Sequence, residues 1–186
     1  MVKIGIITGS TRDARVNLQV AEYVLNIAQQ HPEATFEIVD IKDYNLPRFN
    51  EDLAPLMANR QYQLEEVRTW SQKIDSLDGF IFVTPEYNKS ITSSLKDAID
   101  HIAPEWNHKA AAIVSYGSTN GIAASYSLRQ MLSTLKLATI SINAGFNLYT
   151  DFEQFSTFKP AAVHEATVKN LVNEVALWAT AMKTIR

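Results

Sequence analysis

Short apolar runs that suit only buried strands alternate, along the whole sequence, with longer amphipathic stretches of helical period. The plainest run is Phe80, Ile81, Phe82, Val83, Thr84, which is apolar on both parities until its last residue, so both faces of the strand it forms must be covered. Strands of this kind separated by helices predict an α/β chain: a mostly parallel sheet with helices on both faces. Strands are expected at residues 3–8, 35–41, 79–84, 110–115 and 138–143, and helices at 17–30, 62–76, 91–102, 122–135 and 162–183. In the last helix Val168, Leu171, Val172, Val175, Trp178, Ala179 and Met182 recur at three- and four-residue spacing, a stripe for the core or a subunit contact. Residues 46–60, with Pro47 and Pro55, form the longest irregular stretch, the kind of segment that carries function in compact domains.

At 186 residues, the sequence reads as a single domain, residues 1–186, with enough chain to bury a core unaided by disulfides or metal. It contains no cysteine, which removes disulfides, thiolate nucleophiles and CxxC chemistry and suits a reducing compartment. Met1, Val2 and Lys3 lead into a strand pattern rather than a signal-peptide layout, and no apolar run is long enough to span a bilayer, so a cytoplasmic protein without a membrane partner is expected. A formal charge of -3 leaves no basic footprint for nucleic acid, and it falls short of the acidity of a small electron carrier. The histidines His31, His101, His108 and His164 lack ligand spacing, so no metal site is expected. His101 reads as a helix-end or interface residue, and the adjacent Glu65 and Glu66 as a solvated helix surface.

Three strand-to-helix loops carry the polar chemistry. The first runs through Gly9, Ser10, Thr11, Arg12, Asp13, Ala14, Arg15, Val16 and Asn17 into a helix, whose amino terminus offers free N–H groups and a positive pole to a phosphate. Gly9 permits close backbone approach, Ser10, Thr11 and Asn17 can donate hydrogen bonds, and Arg12 and Arg15 can neutralise a dianion. Neither GxxxxGK[ST] nor GxGxxG is present, so a mononucleotide fits better than a P-loop nucleotide or a dinucleotide on this loop. The second loop starts at Pro85, Glu86, Tyr87 and Asn88, where proline fixes the exit from the strand, Tyr87 offers a flat ring and Asn88 a donor and an acceptor. The third is Ser115, Tyr116, Gly117, Ser118, Thr119, Asn120, Gly121. For strand order 2-1-3-4-5 these loops surround the switch point between strands one and three, where a flavin nucleotide can lie.

The chain resembles the NADPH-dependent FMN reductase family of flavodoxin-like proteins, which includes quinone, chromate and azo-dye reductases. The resemblance rests on Gly9-Ser10-Thr11-Arg12, Thr84-Pro85-Glu86-Tyr87-Asn88 with Ser90, Leu95-Lys96-Asp97-Ala98-Ile99-Asp100, and Ser115-Tyr116-Gly117 with Leu128-Arg129. It implies a flavodoxin-like three-layer sandwich in which Ser10, Arg12, Arg15 and Asn17 hold the FMN phosphate. Pro85, Glu86, Tyr87 and Asn88 would line the isoalloxazine, and Ser115, Tyr116 and Gly117 would bound its other side. The chain departs from the family in having Asn120-Gly121 for a glycine pair, Thr92, Ser93 and Ser94 for small glycines and His101 for tryptophan.

The implied activity is an FMN-dependent NAD(P)H oxidoreductase passing hydride from NADPH or NADH through FMN to a small-molecule electron acceptor, with no catalytic side chain of its own. The competing readings are an electron carrier or redox-sensing FMN protein without a nicotinamide substrate, and a flavodoxin-like scaffold that no longer holds flavin. The resemblance also implies a homodimer or homotetramer, with the 46–60 loop and the helix after Asn88 as contacts.

Overall fold

In the computed structural model, which describes residues 1–186, the apolar runs form β1 (Val2–Thr8), β2 (Ala34–Asp40), β3 (Gly79–Pro85), β4 (Ala110–Gly117) and β5 (Ala138–Asn147). They make one parallel sheet in the order β2-β1-β3-β4-β5, the order expected from the loops. Period two decides which face each side chain serves. Ile4, Ile6, Ile81, Val83, Ala112 and Val114 pack beneath α1 (Asn17–Ala28) and the C-terminal helix, while Ile7, Phe80, Phe82, Ala111 and Ile113 pack on the other side. That second layer consists of α3 (Glu65–Asp75), α4 (Ser93–Asp100) and α5 (Ile122–Thr134), preceded by the single turn α2 (Pro55–Ala58). The C-terminal helix, α6 (Val163–Lys183), buries Val168, Leu171, Val172, Val175 and Ala179 as the stripe predicts, but Trp178 stays 38% exposed at its margin.

The fifth strand and the segment after it differ from expectation. The fifth strand continues past 143 to Asn147, because three residues of β5 lie opposite the single Ala112 of β4 before pairing resumes at Ile113 and Asn143. Arg129 donates to the Ile140 carbonyl at 2.7 Å and so satisfies backbone that this irregularity leaves unpaired. Beyond it a small hairpin, β6 (Phe152–Glu153) and β7 (Thr157–Phe158), packs its two phenylalanines around Phe146, Tyr23 and Tyr116. The 46–60 loop contains α2 and is otherwise irregular.

At the amino end of the sheet Asp78 fastens the C-terminus. Its carboxylate accepts the Lys3 N–H at 2.9 Å, the Lys183 ammonium at 3.0 Å and the Arg186 guanidinium at 2.7 Å. Burial pushes the Asp78 carboxyl up, but these donors outweigh it and hold it below the usual carboxylate range. A depressed folded-state pKa gives stability that is present above the unfolded value near 3.9 and is lost as pH falls through the folded value. Asp78→Asn is therefore expected to cost about 1–3 kcal/mol at pH 7. The gap from the wild type should shrink below about pH 4, as read by urea unfolding at stepped pH; a gap constant to pH 2 would refute the assignment.

Candidate active site

The carboxyl ends of β1, β3 and β4 bring the three polar loops to one edge, and a set of buried hydrogen bonds stitches them together. Gly9 is the first knot. Its N–H is shared between the Val83 carbonyl at 2.7 Å and Asn17 Oδ1 at 2.9 Å, while its carbonyl accepts the Thr92 hydroxyl at 2.6 Å. Asn17, fully buried at the start of α1, also donates Nδ2 to the Val83 carbonyl at 2.9 Å. Thr92 in turn accepts the Leu95 N–H at 3.1 Å and caps α4, so one side chain ties the first loop to the helix after the second.

The second loop turns tightly. Tyr87 and Ser90 exchange both backbone hydrogen bonds, at 2.9 and 3.0 Å, around Asn88 and Lys89, which have φ of 50° and 66°. Positive φ at both central residues is what a two-residue hairpin turn of the primed type demands, and asparagine is among the residues that tolerate it best. The Glu86 N–H donates to the Tyr116 carbonyl at 2.8 Å, carrying the β3–β4 pairing past Pro85, which has no N–H to give. The Glu86 side chain points away from the turn into the third loop. Its Oε2 accepts the N–H groups of Ala123 at 2.9 Å and Ala124 at 3.3 Å, in the first turn of α5, and Lys89 lies 3.3 Å from Oε1. Burial raises the Glu86 carboxyl, yet these donors outweigh it and hold it below the usual range.

In the third loop the Ser115 hydroxyl donates to the Asn120 carbonyl at 2.9 Å, and Asn147 Nδ2 reaches Asn120 Oδ1 at 2.9 Å. Gly117 is packed so closely that a Cβ there would stand 3.0 Å from Glu86 Cβ. Gly121, with φ of 68°, occupies the left-handed conformation that starts α5. Tyr116 is almost wholly buried against Phe152, and that burial pushes its phenol up.

The structure therefore gathers all the sequence-predicted residues at one edge but divides their side chains. Arg15 pairs with Asp40 and donates to the Ser10 carbonyl at 2.9 Å, so it braces the loop from beneath. Asn17, Glu86 and Ser115 are likewise spent on internal partners. Thr11 faces outward and Ser10 lies buried at the base of the loop, both with hydroxyls that make no hydrogen bond within the chain, and Tyr87 and Asn88 are exposed across the crevice. Arg12 joins the two sides by donating to the Tyr87 hydroxyl at 2.8 Å and has no carboxylate partner. The N–H groups of Thr11, Arg12 and Asp13 have no protein acceptor, and the first turn of α1 holds no acidic residue. This donor set suits a dianion at the first loop and a flat ring at the second. Residues that sequence reasoning missed are Thr92, whose signal was its cap position ahead of an amphipathic stretch, and Asp40, whose partners Thr8 and Arg15 are remote in sequence.

Residues 2–150 match the family model described as NADPH-dependent FMN reductase. An NAD(P)H-dependent FMN reductase of Nectria sp. is 35% identical over 176 residues, which span 91% of this chain and 87% of that protein. A quinone reductase of Pseudomonas putida is 31% identical over 141 residues, 72% of this chain and 71% of its own. Among solved structures, the flavoenzyme NAD(P)H:(acceptor) oxidoreductase of Paracoccus denitrificans aligns with a TM-score of 0.70 at 22% identity, covering 99% of this chain and 98% of that one, a likeness of fold.

Proposed function

The chain belongs to the NADPH-dependent FMN reductase family, and we propose that it is an FMN-dependent NAD(P)H oxidoreductase whose acceptor is a small molecule such as a quinone, a flavin, an azo dye or chromate. FMN, when bound, supplies the redox chemistry between nicotinamide and acceptor, and the protein supplies binding and orientation. The observation that carries this reading is the open donor set on the first loop: free hydroxyls on Ser10 and Thr11, free N–H groups beside them and Arg12 without a carboxylate. These residues would hold the phosphate, with Arg15 and Asn17 keeping the loop in shape from behind. Pro85, Glu86, Tyr87 and Asn88 would form one wall for the ring, and Ser115, Tyr116 and Gly117 the other. Of the first wall only Tyr87 and Asn88 present exposed side chains, so Pro85 and Glu86 would contribute through their backbone. In the same reading residues 1–186 are one cytoplasmic domain that pairs with a second copy. Support for pairing comes from Leu53, Leu56 and Met57 on the 46–60 loop, which are 59%, 68% and 73% exposed. Light scattering tests it against the 20.9 kDa chain mass.

The functional test is anaerobic mixing of the FMN-loaded protein with NADPH or NADH. Rapid bleaching of bound flavin, and its return on adding a quinone, is the expected result; a flavin that stays oxidised would identify a carrier instead. Arg12→Ala removes the one guanidinium not held by a carboxylate in this loop, and a charge-assisted phosphate contact is worth about 1.5–3 kcal/mol. FMN affinity should fall roughly 10- to 100-fold by fluorescence titration, with the folded stability unchanged.

A further inference from the structure

We propose that Glu86 is a positioning residue that acts on the bound flavin through α5, by closing the positive end of that helix and clamping the two walls of the ring site together. The inference rests on the functional reading above and assigns Glu86 a role other than contact with the ring. Three observations converge on it. The carboxylate takes the N–H groups of Ala123 and Ala124, which no other residue accepts, since Gly121 at the head of α5 offers no side-chain cap. Thr119 of the third loop approaches Oε1 at 3.4 Å, and Lys89 of the second lies 3.3 Å from the same oxygen, so a single side chain holds both loops. Finally, a Cβ on Gly117 would stand 3.0 Å from Glu86 Cβ, which shows how closely the two walls approach at this point.

The chemical consequence follows from the helix dipole. An uncapped helix amino terminus carries roughly half a positive charge and stabilises negative charge placed near it. Reduction adds negative charge to a flavin, and α5 starts just past the third loop, one of the proposed walls. With Glu86 ionised, that pole is already neutralised and does not draw electrons onto the ring. Glu86 would thus keep the cofactor a better donor to its acceptor while fixing the geometry of its walls.

The experiment is spectroelectrochemical titration of the FMN-loaded wild type, Glu86→Gln and Glu86→Ala, with amide exchange followed by NMR on the same proteins without FMN. Glutamine keeps the shape and one acceptor oxygen but removes the charge. Its bound flavin should be easier to reduce, by about tenfold in the two-electron equilibrium constant, or about 30 mV more positive, with FMN affinity within about threefold of wild type. Alanine removes cap and clamp together. It should share the positive shift, bind FMN about tenfold more weakly and lose exchange protection at Ala123 and Ala124. A Glu86→Gln potential equal to that of the wild type, or unchanged protection in Glu86→Ala, would overturn the proposal. Should the alanine variant not fold, the glutamine potential decides. A wild type that takes up no FMN would sink the functional reading, and exchange at Ala123 and Ala124 then decides the clamp alone.

Discussion

Gly9→Ala is expected to cost about 3 kcal/mol of stability, as overpacking a tight contact does, together with at least about 100-fold in FMN affinity. The sequence suggests that Gly9 is there to let the backbone approach a phosphate, but the structure gives a steric reason of another kind. A Cβ on Gly9 would stand 2.7 Å from the Val83 carbonyl, 3.2 Å from Thr84 Cα and 3.1 Å from a Leu95 methyl. The first two are backbone and cannot rotate away. The loop would have to lift from β3, and in lifting it would break the Gly9 N–H bond to Val83, the Asn17 bridge and the Thr92 bond to the Gly9 carbonyl. All three hold Ser10, Thr11 and Arg12 in place. For a chain of this size about 3 kcal/mol lowers the melting temperature by roughly 6–12 °C. Thermal unfolding and FMN titration measure the two effects, and an alanine variant that binds FMN as the wild type does would show that the loop is not held through Gly9.

The three-layer architecture was legible because its signal is carried by whole runs of residues. Phe80 to Val83 are buried on both parities, and the two hydrophobic clusters divide them by alternation. Ends were less legible. The fifth strand is expected to stop at Asn143, yet β5 runs on to Asn147, because pairing with β4 resumes beyond an irregularity that Arg129 of α5 stabilises. The helix expected over 91–102 shrinks to Ser93–Asp100, since Thr92 caps it on one side and on the other the chain passes into a separate short turn that Pro104 opens. Two-residue strands such as Phe152–Glu153 have no period to read.

The position of the site was legible for a different reason. Once the strand order is set, the loops after β1, β3 and β4 must share an edge, whatever they contain. The direction of each side chain was not. Ser10 and Asn17 look alike as candidate donors in sequence, but only Ser10 keeps a free hydroxyl, while Asn17 lies fully buried with its amide shared between Gly9 and Val83. Charged side chains in the interior were harder still. Lys109 gives no sequence signal apart from its place before a strand, yet it is buried over the Phe80 ring and donates to the Ile74 carbonyl at 2.7 Å and the Asp75 carbonyl at 3.1 Å, closing the end of α3. Desolvation pulls its ammonium down to about 8.

Glu105 is the other such residue, and its removal is the larger stability experiment. It is fully buried, with no cation in ion-pair range, and its carboxylate is held by neutral donors alone: the Tyr62 hydroxyl at 3.0 Å from each oxygen and the Ser71 hydroxyl at 2.6 Å. Burial first, then Glu105 beside it, pushes the Tyr62 phenol up. Three segments meet at this carboxylate, because Ser71 belongs to α3, Tyr62 ends the loop that carries α2, and Glu105 itself lies in the short helix after α4. Glu105→Ala would leave two buried hydroxyls without an acceptor, at about 1–3 kcal/mol each, and a cavity besides. About 4 kcal/mol in all is expected, a fall of roughly 8–16 °C in melting temperature. Glu105→Gln, which keeps a carbonyl oxygen where Oε1 accepts both hydroxyls, should lose less than half as much. Because the network lies away from the three loops, FMN bound by the folded fraction of either variant should keep its wild-type affinity, and a parallel loss of affinity would mean that the 46–60 loop shapes the cofactor site directly.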